Sequence, residues 1–212
     1  MAAEPRLRDI SPTVSADAPV FPGDQSFHAT WTFELGPGCP VNVARLTLSP
    51  HTGAHADAPL HFTADGASAA DLDLAPYVGR CRVVHALDSG ALVTWDDVAG
   101  ALGEDIPPRV LVRTYDRQPR TWDDRFPGLH PDLVTRLAGL GVRLVGVDTA
   151  SLDPADSSTL DAHHAAHRGD VRILENLLLD DVDEGDYELI ALPLKLAGAD
   201  AAPVRAVLRD LA

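Results

Sequence analysis

This chain has little from which to build a disulfide scaffold, a membrane span or a nucleic-acid surface. Cysteine occurs twice in 212 residues, at Cys39 and Cys81, and neither stands in CxxC spacing. Two cysteines in a chain of this size make no disulfide framework, so both are expected to be reduced and structural. No run approaches the roughly 18 apolar residues of a membrane span. The opening MAAEPRLRDISP lacks the apolar core of a secretory leader, which makes the cytoplasm the expected location. Basic residues are scarce as well: 17 Lys and Arg against 32 Asp and Glu leave a formal charge of -15. That balance opposes binding to nucleic acid or anionic membranes, whose electrostatic footprint is a basic patch. A small molecule is the expected partner.

Internal repeats, low-complexity tracts and Pro/Gly/Ser-rich linkers are also missing, so residues 1–212 read as one domain. With 45% hydrophobic residues and mixed charge, the composition is that of a globular protein. Concentrations of β-branched and apolar residues predict strands over 30–35, 41–49, 81–87, 109–114, 143–147 and 187–194. The 41–49 segment alternates apolar and polar residues, as would a strand delivering its end to His51. Helices are predicted over 94–102, with Thr94 as cap and Asp97 in the first turn, and over 131–140, ended by Gly141. Two more are predicted over 160–167, stopping near Gly169, and over 203–211. Six strands with four helices give a mixed α/β protein built on one large sheet or open barrel. Residues 115–130 show neither period and read as a long polar connection, a lid or an ordinary solvated loop; His130 belongs to it.

Against this background, His51-Thr-Gly-Ala-His55-Ala-Asp57-Ala-Pro-Leu-His61-Phe62 places three histidines and an aspartate within eleven residues. Imidazole nitrogen and carboxylate oxygen suit zinc, and also manganese or iron. Gly53 permits a tight backbone path and Pro59 discourages a helix through the whole segment, so a loop is expected; where it is extended, Asp57, Pro59 and His61 share a side. Two close metals need more ligands than His51, His55 and Asp57 supply, and Asp161-Ala-His163-His164-Ala-Ala-His167 is a ready donor. On a helix His163 and His167 share one face while His164 points elsewhere, which leaves two candidates.

HTGAHADAPLHF resembles the HxGxHxDxPxHF signature of the cyclase-like metal hydrolases, a superfamily that includes the bacterial kynurenine formamidases, or arylformamidases. Further stretches extend the likeness over nearly the whole chain: Asp9-Ile-Ser-Pro, Val20-Phe-Pro-Gly-Asp24, Gly146-Val-Asp-Thr149, Ser151-Leu-Asp153, and residues 186–194. The resemblance implies an α/β single-domain cyclase-like fold, a mixed β-barrel-like sheet with surrounding helices, assembled as a homodimer. It implies hydrolysis of N-formyl-L-kynurenine to L-kynurenine and formate in tryptophan degradation, by metal-activated water. Formamidases of the superfamily carry a ligand His followed twelve residues later by a ligand Glu, which selects His163 and Glu175. The implied centre is binuclear, with two Zn2+ per chain (Mn2+ being the other candidate) held by His51, His55, Asp57, His163 and Glu175; Asp57 and Glu175 offset the ions' charge. A single ion on His51, His55 and Asp57 is the simpler alternative. By its match to the motif His61 is the general acid/base, and its ordinary pKa near 6.5 suits that work. Phe21 stands where those formamidases carry a substrate-facing Trp, so it is a substrate-binding candidate that keeps an aromatic face and lacks the indole donor. Two other functions are compatible: an isatin-hydrolase-like amide hydrolase of the superfamily, and a metal-stabilised binding protein, which would have no use for His61.

Overall fold

The computed structural model describes residues 5–211. Nine strands form one mixed sheet. Its centre is parallel: β5 (Val78–His85), β7 (Arg109–Arg113), β9 (Leu144–Val147) and β10 (Arg172–Glu175) lie side by side in that order. Antiparallel strands flank it, with β11 (Gly185–Ile190), β13 (Val207–Asp210) and β1 (Leu7–Asp9) beyond β5, and β4 (His55–Asp57) and β12 (Ala201–Pro203) beyond β10.

The connection between β12 and β13 forces this sheet to curl. β12 is one edge and β13 is second from the other, seven strand spacings away, or about 34 Å in a flat sheet. Only Val204, Arg205 and Ala206 join them, and such a link spans at most about 14 Å. Val204 N–H bonds to Ala54 O at 2.9 Å on the β4 side, and Ile10 N–H bonds to Ala206 O at 3.0 Å beyond β1. The link thus draws the two edges together, and the result is a half-barrel.

Strand alternation sorts the side chains into an inner and an outer core. Inside the curl lie Ala56, Cys81, Val83, Leu111, Leu174, Leu189, Ala202 and Leu208. Val84, Val110, Val112, Val145, Val147 and Ile173 face outward. They are covered by α1 (Trp95–Leu102), α2 (Pro131–Gly139) and α3 (Asp161–Arg168), which contribute Val98, Leu102, Leu133, Val134, Leu137, Ala162, Ala165 and Ala166. As its sequence predicts, α1 starts in a cap: the Asp97 carboxylate accepts the Thr94 N–H at 2.7 Å. His130 caps α2, its Nδ1 accepting the Asp132 N–H at 3.2 Å, which gives that histidine a structural role.

All six predicted strands are present with shifted ends, and three of the four helices. The exception is 203–211, which is extended. Val204, Val207, Leu208 and Leu211 fit a helical period, yet Val204, Ala206 and Leu208 also fit alternation, and those three are the buried ones. Arg205 and Arg209 point the other way and pair with Asp9 and Glu188. Pairing with β1 and β11 therefore overrides helix propensity. The 41–49 prediction also needs correction, because the strand there, β3 (Val43–Thr47), pairs with β2 (His28–Phe33) in a separate two-stranded ribbon whose residues are all exposed. The 115–130 connection is partly built in: Phe126 is buried, residues 128–129 form the short strand β8 beside β6 (Leu92–Val93), and Gln118 Nε2 donates to Asp148 O at 2.8 Å. No helix is long and apolar enough to cross a membrane, among the described residues.

Candidate metal centre

The predicted metal segment is not the loop expected of it, and its regularity explains the site. His55 and Asp57 lie on β4, where the two-residue period turns both to one face while Ala56 enters the inner core. β10 pairs antiparallel beside it with Glu175 opposite His55 and Ile173 opposite Asp57, so Glu175 joins the same face at cross-strand distance. That face is the one α3 covers, and His163 reaches it from the first turn of α3. His61 arrives differently, from a 3-10 turn over Pro59–His61 immediately after β4.

Gly53 has φ +68°, and a Cβ there would lie 2.7 Å from Val14 Cγ2, so the turn both needs and has room only for glycine. The Gly53 carbonyl accepts from His55 Nδ1 at 2.8 Å. This fixes the neutral tautomer: the proton is on Nδ1, and Nε2 is the nitrogen whose lone pair a metal would take. His163 is fixed in the same sense, with Nδ1 2.6 Å from Asp153 Oδ2. Asp153 also accepts the Ala162 and His163 N–H groups at 2.9 and 3.0 Å, so one carboxylate caps α3 and aims its histidine.

The two aimed nitrogens meet two carboxylates. His55 Nε2 is 3.4 Å from Asp57 Oδ1 and 3.3 Å from Glu175 Oε2, and His163 Nε2 is 3.2 Å from Asp57 Oδ2 and 3.4 Å from Glu175 Oε1. His51 Nδ1 lies 3.2 Å from Asp57 Oδ1. His55, Asp57, His163 and Glu175 are all buried. Glu175 is held by the Leu152 N–H at 2.8 Å, but His55 Nε2 and Asp57 Oδ1 are buried with no hydrogen bond among the described residues. Lone pairs and carboxylate oxygens packed together in this way repel unless a cation stands among them, so the donor set fits a metal.

Protonation shows the same demand for positive charge. Burial disfavours the His55 imidazolium, yet Asp57 and Glu175 outweigh burial and push its pKa up to about 10. His163 is likewise raised against the effect of burial, by Asp153, Asp57 and Glu175. Burial alone would raise Asp57 and Glu175, but the surrounding imidazoles hold both below the usual carboxylate range. Two ligand groups can be drawn among the described residues, His51–Asp57–His61 and His55–Asp57–Glu175, and Asp57 belongs to both.

The structure thus brings His51, His55, Asp57, His61, His163 and Glu175 into one cluster. His164 and His167 stay outside it, their rings 5.9 and 5.8 Å from Phe62, which also stacks edgewise on His163 at 5.3 Å. Phe21 is 56% exposed and packs against Trp122 at 5.3 Å rather than against a cluster histidine. Sequence reasoning missed Asp200, whose Oδ2 lies 3.1 Å from His51 Nε2 and 3.4 Å from His61 Nδ1. Its only local signal is a lone acid in the stretch Leu-Ala-Gly-Ala-Asp-Ala-Ala-Pro-Val. Asp148, in the Gly-Val-Asp-Thr stretch, is not a ligand: buried, and with its pKa pushed up to about 6 by that burial, it accepts the Thr114 and Tyr115 N–H groups at the end of β7.

Comparison with known proteins agrees over the whole length. The Cyclase family model, "Putative cyclase", matches residues 8–154. A kynurenine formamidase of Delftia acidovorans is 60% identical over 207 residues, 98% of this chain and 99% of that one. One from Bordetella pertussis is 57% identical over 208 residues, again 98% and 99%. Among solved structures, a "potential metal-dependent hydrolase with cyclase activity" superposes with a TM-score of 0.86 at 29% identity, covering 98% of this chain and 99% of that one. An isatin hydrolase bound to thioisatinate superposes at 0.84 over 97% and 92%, but at 21% identity, which is a likeness of fold. The chain therefore belongs to the Cyclase family and, within it, to the kynurenine formamidases.

Proposed function

We propose that this protein hydrolyses N-formyl-L-kynurenine to L-kynurenine and formate, with two divalent ions, zinc in the first instance, held by His51, His55, Asp57, His163 and Glu175. The observation that carries the reading is identity of 60% with a kynurenine formamidase over 98% of the chain, and the clustering of His51, His55, Asp57, His163 and Glu175 supports it. Likeness to isatin hydrolases is one of fold at 21% identity and gives that substrate less support.

When bound, such ions bring the pKa of a water toward about 7 and polarise the carbonyl under attack. The chain supplies the rest. Asp57 and Glu175 bring the negative charge that offsets the ions, and Gly53 and Asp153 keep the lone pairs of His55 and His163 aimed inward. His61 is the most solvent-accessible histidine of the cluster, at 32% of its side chain, and serves as general base and then general acid. It takes a proton from the attacking water and returns it to the departing nitrogen. An aryl nitrogen delocalises its lone pair into the ring, so a single donor suffices. Exposed Phe21, packed on the half-buried Trp122, offers an aromatic face for that ring.

The assembly is read as a homodimer of single-domain chains. One face of the exposed ribbon carries Ala29 and Trp31 beside Ala44 and Leu46, and past a bulge the other carries Phe33 beside Val43; a lone two-stranded ribbon is marginal in water unless it is covered. Cys39 and Cys81 are free thiols, in keeping with a cytoplasmic protein.

The test is a panel of N-formylkynurenine, isatin and formanilide with metal-loaded and metal-stripped protein. Formylkynurenine is expected to be the best substrate, activity to vanish on stripping and to return with zinc. Faster turnover of isatin, or full activity without metal, would refute the reading.

A further inference from the structure

We propose that Asp200 is the positioning residue of the proton shuttle, holding His61 in the tautomer that catalysis needs. This rests on the reading of His61 as general acid/base.

Asp200 is set rigidly. It directly precedes β12, whose Ala201 pairs with Asp57, and its carbonyl accepts the Ala58 N–H at 2.9 Å. The backbone that carries Asp200 is thus tied to the segment between the ligand Asp57 and the turn carrying His61. From there one oxygen, Oδ2, serves two rings: His51 Nε2 at 3.1 Å and His61 Nδ1 at 3.4 Å. The rings themselves are 4.3 Å apart and tilted by 47°.

A carboxylate accepts and does not donate, so both ring nitrogens facing it carry protons. For His51 this leaves Nδ1, which faces Asp57, free to ligate. For His61 it places the proton on Nδ1 and the lone pair on Nε2, directed away from Asp200. A histidine in that state can accept a proton on Nε2 from the attacking water. The resulting imidazolium is stabilised by the carboxylate at its other nitrogen until Nε2 passes the proton to the departing amine nitrogen. Asp200 stays ionised throughout and touches no reacting atom, the relation of an orienting acid to a histidine base. Without Asp200, His61 has no hydrogen-bond partner among the described residues to choose between its tautomers, and the state with the proton on Nε2 cannot act as base at that nitrogen.

The experiment is a double-mutant cycle with metal-loaded protein, reading kcat, KM and metal content on N-formylkynurenine. Asp200→Asn is expected to lower kcat, read at saturating zinc because His51 loses the same partner, by roughly 10- to 100-fold, the usual cost of losing an orienting carboxylate, with KM within about twofold. His61→Ala is expected to lose more, and adding Asp200→Asn to His61→Ala is expected to cost nothing further, because residues that act as a unit are not additive. Multiplying losses in the double variant at saturating zinc, or a kcat that zinc restores to the wild-type value in Asp200→Asn, would overturn the proposal and make Asp200 a support of His51 alone. An active His61→Ala protein would overturn the shuttle reading itself, a separate result. Should Asp200→Asn fold poorly, Asp200→Glu is read in the same cycle: a loss that persists in the His61→Ala background counts against the proposal, and one that disappears there supports it.

Discussion

Metal uptake by the stripped protein should expel about two protons per ion at the His55–His163 face of the site, and its affinity should rise steeply with pH. Without metal, His55 keeps its proton up to about pH 10 and His163 is raised in the same direction, so both are imidazolium at pH 7. Asp57 and Glu175 are ionised, and the four buried side chains sum to zero charge. A divalent ion on the same four groups needs both imidazoles neutral; it replaces two protons by two positive charges and leaves the buried charge unchanged. Apparent affinity should then change by about two orders of magnitude per pH unit below the raised pKa values. Calorimetric titration with zinc in two buffers of different ionisation enthalpy measures the release directly. The linkage also fixes a sign for stability. A histidine whose folded pKa exceeds its ordinary 6.5 contributes stability that is complete below about 6.5 and is lost as pH rises toward 10; a shift of that size corresponds to about 5 kcal/mol. Asp57 works oppositely, its contribution being present above 3.8 and lost as the solution becomes more acid. The stripped protein should therefore melt lower at pH 9 than at pH 6, and the loaded protein should not. Proton release below about half a proton per ion, or equal zinc affinity at pH 6 and 8, would refute the charge-exchange argument.

Asp153→Asn should weaken metal binding by about 10- to 100-fold, because the carboxylate that aims His163 and caps α3 is lost; unchanged zinc affinity in a competition titration would refute it. Gly66→Ala should cost on the order of 1–3 kcal/mol and reduce kcat. A Cβ at Gly66 would overlap the Pro59 carbonyl and lie 2.5 Å from the Leu60 nitrogen, displacing the turn that carries His61; wild-type thermal stability and kcat would contradict this. Phe21→Ala should reduce kcat/KM for N-formylkynurenine by roughly tenfold and for N-methylformamide much less, if the Phe21–Trp122 pair receives the aryl ring. Equal losses on both substrates would assign Phe21 to packing alone.

The membership of the cluster was legible in the sequence because His51, His55, Asp57 and His61 are close along the chain, and the motif pointed to His163 and Glu175, which the structure brings beside them. Their geometry was not. The three residues of β4 are too few to show alternation, and Ala56 between two polar side chains carries no apolar signal, so the segment reads as a loop until β10 pairs with it. β10 itself, Arg-Ile-Leu-Glu, is equally short and was not predicted. The helix predicted over 203–211 fails for a different reason: its apolar positions satisfy two periods at once, and only the pairing of β13 with β1 and β11 chooses between them. Asp200 is remote from every other member in sequence and is recruited by an edge strand, so no local pattern could announce it.

The same short strands explain why the centre can be strict about metal and leave substrate choice to other residues. Four of the five proposed ligands stand on or beside β4, β10 and the first turn of α3, where register, the Gly53 carbonyl and the Asp153 carboxylate fix them to within a hydrogen bond. A one-residue slip of β4 would send His55 and Asp57 into the apolar inner core beside Leu174 and expose Ala56 to the site, so the pairing cannot drift without losing the centre. Phe21 and Trp122 are anchored by no strand of the sheet; they meet where the N-terminal segment crosses the 115–130 connection, more than half of Phe21 being exposed. An isatin hydrolase shares the fold at a TM-score of 0.84 with 21% identity. Differences in substrate between such relatives are therefore expected to map to the rim, and exchanging residues 18–24 and 115–127 should shift substrate preference while zinc affinity stays constant; a change in zinc affinity that accompanies the shift would show that rim and centre are one unit.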